Sequence, residues 1–233
     1  MRWLLLLGML GCATAAGDTR PDDGPVVIEL FTSQGCSSCP PADELLSRLA
    51  RAGALGGRKL APLTFHVDYW NDLGWPDPYS RPAWTARQQD YAHALGGDRV
   101  YTPELVVAGG AGMVGSQSDR VAQAIAAAPR QLAVTASATW DAAKVTVSAT
   151  APADAEVWVA VWEDGTHTKV PSGENAGETL ASDRVVRRLE RVASAGRAGQ
   201  IAIALDSSWR AGGAVAFAQR ADRRIVAATL LPK

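Results

Sequence analysis

Hydrophobic and polar positions divide the chain into two differently patterned halves. Val26 to Phe31 is a short, mostly apolar run of the kind that forms a buried strand, and Cys36 and Cys39 follow it closely. From Pro41 the spacing of Leu45, Leu46, Leu49 and Ala50 draws one apolar helical face, ended by Gly53 and the Gly56-Gly57 pair. Leu63 to Val67 reads as a second strand. A strand, helix and strand in this order should cross over right-handed to a parallel neighbour. An aromatic loop from Tyr69 to Arg81 leads to a helix predicted over Pro82 to Leu95, with Pro82 suited to a first helical position and Gly96 to its end. Glu104 to Ala108 is a third strand, Gly109-Gly110 turn into the brief strand Met113-Val114, and Ser118 caps a helix from Asp119 to Ala128. The predicted order is β-α-β-α-β-β-α.

Beyond Pro129 the pattern becomes β-like, in Leu132 to Trp140, Lys144 to Thr150, Glu156 to Trp162 and Ile201 to Leu205, with further candidates after Ala214. Such spacing predicts a smaller β-rich, sandwich-like unit. Arg184 to Val192 carries a helix-compatible periodicity and stays ambiguous. The fold class is therefore α/β, with residues 17–130 as a first domain and 131–233 as a β-rich second one.

The first residues change the setting. Arg2, the apolar run from Trp3 to Leu10 and the small residues from Gly11 to Gly17 form an export-signal pattern, expected over residues 1–16. The run is too short to span a bilayer. Ala13-Thr14-Ala15 suits signal-peptidase cleavage, whereas Met9-Leu10-Gly11-Cys12 is a loose lipoprotein box that would anchor the chain through Cys12. Either way the expected location is periplasmic or secreted, where disulfides persist, and Cys36 and Cys39 are the two cysteines left to pair. A net charge of −1, with 20% charged residues, offers no concentrated basic surface, so nucleic acid is not expected as a partner.

A Cys-x-x-Cys pair can close a structural disulfide, bind a soft metal or shuttle between dithiol and disulfide. Here it lies after a buried strand and at a helix start, where free N–H groups and the helix dipole favour a thiolate. Pro40 and Pro41 fit only the first helical turn, which places the cap at Ser37 or Ser38. Cys36 would then face solvent as the nucleophile, and Cys39 would be the less accessible resolving thiol. No cofactor is needed for that chemistry. A metal reading would add His66 to the two cysteines, although Met113 is the sole methionine beyond the leader and no second imidazole lies beside His66. Glu29 interrupts an apolar strand; it is either a buried carboxylate that could take the proton from Cys39 or an outward-facing residue.

Tyr101-Thr102-Pro103 precedes the third strand, and a proline at a strand's first residue is open to the cis form. In these features the chain resembles the thioredoxin superfamily: Cys36-Ser37-Ser38-Cys39 opens the first helix, Thr102-Pro103 matches the cis-proline turn, and Val114-Gly115-Ser116 leads to the last helix. The resemblance implies that Thr102 and Pro103 lie against the cysteines and align a substrate chain. The stretches Glu29 to Asp43, Phe65 to Trp70 and Gly173 to Gly177 are similar to the DUF1223 family of exported bacterial proteins, over nearly the whole mature chain. Together these readings lead to the expectation of a periplasmic thiol–disulfide oxidoreductase acting on a cysteine-containing partner protein. Two alternatives stay open: a Cu(I)- or Zn(II)-binding protein, and a non-catalytic binding module with a structural bridge. The reactive centre is expected to be complete before Ala128, with the Gly173 to Gly177 loop packed against the first half.

Overall fold

Seven consecutive buried residues form β1 (Val26–Thr32), the middle of the principal sheet of the computed structural model, which describes residues 23–210 and 212–233. The expected leader and Cys12 lie outside the described residues. After β1 come α1 (Pro40–Ala52), β2 (Ala54–Leu55), β3 (Arg58–His66), α2 (Pro82–Ala94), β4 (Glu104–Val107), β5 (Gly112–Val114) and α3 (Ser118–Ala127). β1 and β3 run parallel, Thr32 standing beside His66, and β4 pairs with β1 antiparallel. The order expected for this half is present with one addition, the two-residue β2, which pairs antiparallel with β3. Ser118 is the first residue of α3 rather than its cap; Gln117 takes that place without a side-chain bond.

The second half contributes β6 (Thr135–Trp140), β7 (Lys144–Thr150), β8 (Glu156–Glu163), β9 (Thr166–Lys169), β10 (Thr179–Ser182), β11 (Val185–Ala193), β12 (Ala198–Ala204), β13 (Gly212–Gln219) and β14 (Ile225–Leu231). The ambiguous stretch from Arg184 is the strand β11, and it lies beside β3, with Thr64 N–H donating to Arg184 O at 2.8 Å. The main sheet accordingly runs β14-β13-β8-β11-β3-β1-β4-β5, crossing the boundary expected near residue 130. A three-stranded sheet, β12-β7-β6, covers one face of its β14-β13-β8-β11 side through Val145, Val147, Val157, Val159 and Ala216. That packing is sandwich-like, but one layer belongs to the sheet of the first half. The result is a mixed α/β fold, with one central mixed sheet and additional small sheets.

Alternation in β1 assigns its side chains to opposite faces. Val26, Ile28 and Leu30 pack with Leu45, Leu46 and Leu49 of α1 and with Val121 and Ile125 of α3. Val27 and Phe31 point the other way, into a core with Phe65, Trp84 and Tyr91 that also takes Trp162, Val186 and Phe217 from the second half. This shared core ties the halves together by burial of apolar surface. Among the described residues no helix is long and apolar enough to cross a membrane.

Candidate functional site

Cys36 and Cys39 are joined by a disulfide at the start of α1, with Cα atoms 5.4 Å apart. Cys39 itself caps the helix, in place of the expected Ser37 or Ser38. Its backbone is helical (φ −80°, ψ −38°), and its carbonyl accepts from Ala42 N at 2.9 Å and Asp43 N at 3.2 Å. The reason lies in Pro40 and Pro41, which fill the first turn, where a missing N–H costs nothing. Ser37 and Ser38 are left exposed, and the Ser38 hydroxyl lies 3.3 Å from Cys36 Sγ.

Both cysteines are 0% exposed, which corrects the expectation that Cys36 meets solvent. The second half bonds to the main chain around them. Asn175 donates its side-chain amide to the carbonyls of Gln34 (2.9 Å) and Cys36 (3.1 Å), and the Glu174 carboxylate accepts from Ser37 N at 3.0 Å. Ser172 Oγ donates to Gly74 O at 2.6 Å. Gly173 adopts φ +80° against Trp75, where a Cβ would stand 3.1 Å from the Trp75 Cβ, so glycine answers both the backbone and the space. The Gly-rich loop does pack on the first half, through these bonds to Gln34, Cys36, Ser37 and Gly74.

The aromatic loop ties further groups to the cysteines. Trp70 fills the space beside Gly35, within 3.1 Å of a Cβ built there, and its Nε1 donates to Thr102 Oγ1 at 2.8 Å. Thr102-Pro103 is a cis peptide, and Trp70 bridges it to the residue before Cys36. Trp75 Nε1 donates to Gln34 Oε1 at 3.1 Å.

Two clusters of buried polar groups flank β1. Glu29 is 0% exposed and shares the parity of Val27 and Phe31, so it faces α2. There Arg87 Nε donates to it at 2.6 Å, Tyr91 donates its hydroxyl, and Gln219 bonds both Arg87 and Tyr91. The helix carrying Cys39 covers the opposite face of β1, and this carboxylate is buried rather than outward-facing, in an ion pair with Arg87. On the α1 face, Thr32 Oγ1 donates to Asp43 Oδ2 at 2.9 Å. Beside Thr32 stands the buried His66, whose Nδ1 is 2.7 Å from Asp77 Oδ2, and the same oxygen accepts from Gln34 N at 2.7 Å. Asp43 Oδ1 and His66 Nε2 are buried with no hydrogen-bond partner among the described residues.

Burial pushes the Asp43 carboxyl up to about 7, against the pull of His66 and the Thr32 bond, while Asp77 adds to the rise. Burial works against a charged His66, but Asp77 and Asp43 outweigh it and raise its pKa; Arg187 opposes them. For Asp77, burial is outweighed by His66 and by hydrogen bonds from His66, Gln34 and Tyr79, so its carboxyl is held low. No group of three or more His, Cys, Asp or Glu among the described residues is arranged to hold a metal ion, so His66 is not brought together with the cysteines as a ligand set.

Two solved structures are similar over most of the chain. An X-ray crystal structure of a protein from Agrobacterium tumefaciens is 28% identical, with a TM-score of 0.72, covering 91% of this chain and 96% of that one. HBP35 of Porphyromonas gingivalis shares the fold at 15% identity and a TM-score of 0.60, covering 91% of this chain and 76% of that one. A comparison with curated proteins finds no match. Residues 27–219 match the family described as "Protein of unknown function (DUF1223)", and the chain belongs to that family.

Proposed function

We propose that this protein is an exported thiol–disulfide oxidoreductase with a thioredoxin-like first half, whose Cys36–Cys39 pair exchanges with a cysteine-bearing partner protein. The observation that carries the reading is the disulfide at the N-terminus of α1, past the ends of the parallel strands β1 and β3. The positive end of the α1 dipole there favours a thiolate, the form that attacks sulfur. The cis Thr102-Pro103 turn, the order of the first half and the leader pattern support the same reading.

In the reduced protein the Cys36 thiolate attacks a partner disulfide and forms a mixed disulfide. Cys39 then attacks Cys36 Sγ and releases the partner as a dithiol, closing the Cys36–Cys39 bond. Cys36 takes the first role because it precedes the helix, whereas Cys39 is packed as its cap. Partner access requires the 172–177 loop to leave the main chain around Cys36, so exchange is gated by the bonds of Asn175 and Glu174.

Mass-shift alkylation across a series of dithiothreitol potentials, with metal content measured on the same sample, tests the reading. One reversible two-electron transition is expected. A pair that stays oxidised at every potential the folded protein survives would make the bridge structural. Tight, stoichiometric metal on the reduced protein without exchange would favour the metal reading.

A further inference from the structure

We infer that Arg81, Arg187 and Arg188 form a docking patch for a segment of the partner protein rich in aspartate and glutamate, beside the cysteine pair. The partner's redox role rests on the exchange reading above; the binding of an acidic chain does not. The bulge of β11 between Val186 and Arg188 builds the patch. In a regular strand successive side chains point to opposite faces, so Arg187 and Arg188 would part. A bulge re-aims a side chain, and here both guanidinium groups stand over the Trp209 ring, 5.3 and 5.0 Å from its centre. Arg187 also lies 5.2 Å from the ring centre of Tyr79, and Arg81 joins from the extended residue before α2 (φ −145°, ψ 140°).

Like charges gathered in this way repel, and the fold cancels them only in part. Burial and the charges of Arg188 and Arg187 lower the Arg81 pKa. Arg187 meets Glu163 at 3.5 Å, but that carboxylate also accepts from Arg210 N at 3.0 Å, and Arg187 Nε is buried with no hydrogen-bond partner among the described residues. Asp206 feels Arg187 and Arg188, yet its Oδ1 is taken by Ser208 N and Oγ at 2.9 and 2.7 Å. Among the described residues Arg81 and Arg188 form no ion pair. A set of arginines held together against their repulsion is suited to a carboxylate from outside, which the planar guanidinium meets through paired hydrogen bonds.

The patch lies at the cysteine end of the sheet. Val185 stands beside Thr64, two residues before His66, and Arg81 N donates to His66 O at 3.1 Å. The His66 ring is 5.4 Å from that of Tyr79, and Asp77 joins His66 Nδ1 to Gln34 N, two residues ahead of Cys36. An extended segment flanking a partner's reactive cysteine therefore reaches both the disulfide and the arginines. With a net charge of −1 on the whole chain, a patch of three arginines suits a short acidic stretch of protein rather than a nucleic-acid backbone or an anionic membrane.

The test measures fluorescence anisotropy of a labelled peptide of alternating Glu and Ser with the oxidised full chain, against its Lys and Ser counterpart. The acidic peptide is expected to bind in preference to the basic one, and binding should be lost between about 20 and about 500 mM NaCl. Arg81→Gln combined with Arg188→Gln keeps the Arg187–Glu163 pair and should weaken binding on the order of 10-fold. Equal binding by wild type and double variant, or equal binding of the two peptides, would overturn the patch. Should the double variant fail to fold, Arg188→Gln alone must weaken binding several-fold, and unchanged affinity contradicts the proposal. Reduced protein is then mixed with peptide disulfides whose cysteines are flanked by Glu or by Lys. The rate ratio should favour the Glu-flanked disulfide at low salt and fall toward unity in the double variant; exchange without that preference would overturn the docking role. Binding of the acidic peptide without exchange on either disulfide would instead sink the exchange reading and leave the patch standing.

Discussion

Asn175 donates its side-chain amide to the carbonyl of Cys36 at 3.1 Å, across a sequence separation of 139 residues. One side chain from the second half therefore satisfies the carbonyl of the first cysteine. Removing a partner from a buried carbonyl costs roughly 1–3 kcal/mol. Asn175→Ala is expected to lower stability by that order and to speed reduction of the disulfide by dithiothreitol several-fold. A loss of stability without faster reduction would show that the loop does not limit access.

Residues 23–128 expressed alone are not expected to fold cooperatively. β3 would lose β11, and the core around Phe65 and Trp84 would lose Trp162, Val186 and Phe217. Thermal melting followed by circular dichroism reads this directly. A sharp transition in the fragment, with the redox couple retained, would mean that the second half is dispensable to the site.

Glu29→Gln tests the buried ion pair of β1 and α2. It strands the Arg87 guanidinium in the core, and breaking a buried pair costs about 3–5 kcal/mol. Denaturant unfolding should show that loss, while the pH profile of exchange keeps its shape. A changed profile at preserved stability would give Glu29 a part in proton transfer instead.

Asp43 should leave a signature in stability. Its folded value, about 7, lies above its ordinary 3.8, so its contribution is fully present below 3.8 and is lost as pH rises through about 7. Relative to Asp43→Asn, the oxidised wild type should lose more than about 1 kcal/mol across that window. Asp77 acts in the opposite sense: its contribution is present above the ordinary value and lost as pH falls through its lowered one. Parallel stability curves for wild type and Asp43→Asn in urea would contradict the perturbed carboxyl.

Much of the first half was legible because each element carries its own signal: the apolar run of β1, the stripe Leu45, Leu46, Leu49 in α1, and Pro82 opening α2. The surroundings of Glu29 and Asp43 were not. Every residue of β1 is buried, so parity separates Glu29 from Thr32 without telling which face α1 covers. Asp43 reads in sequence as an acid suited to a helix start, and nothing in the pattern announces its contact with Thr32. Arg184 to Val192 hid its strand because a bulge between Val186 and Arg188 breaks the alternation. The β9–β10 hairpin, short and polar, gave no apolar pattern at all.

Exchange at the cysteine pair is tested most directly by trapping. In Cys39→Ser the Cys36 thiolate can still attack a partner disulfide, but nothing resolves the product. Acid-quenched extracts of cells making this variant, run on a non-reducing gel, should show covalent complexes whose partners mass spectrometry identifies, with Cys36→Ser showing few. Equal trapping by both variants would contradict the assigned order of attack, and no trapping by either folded variant would contradict exchange as the function of the pair.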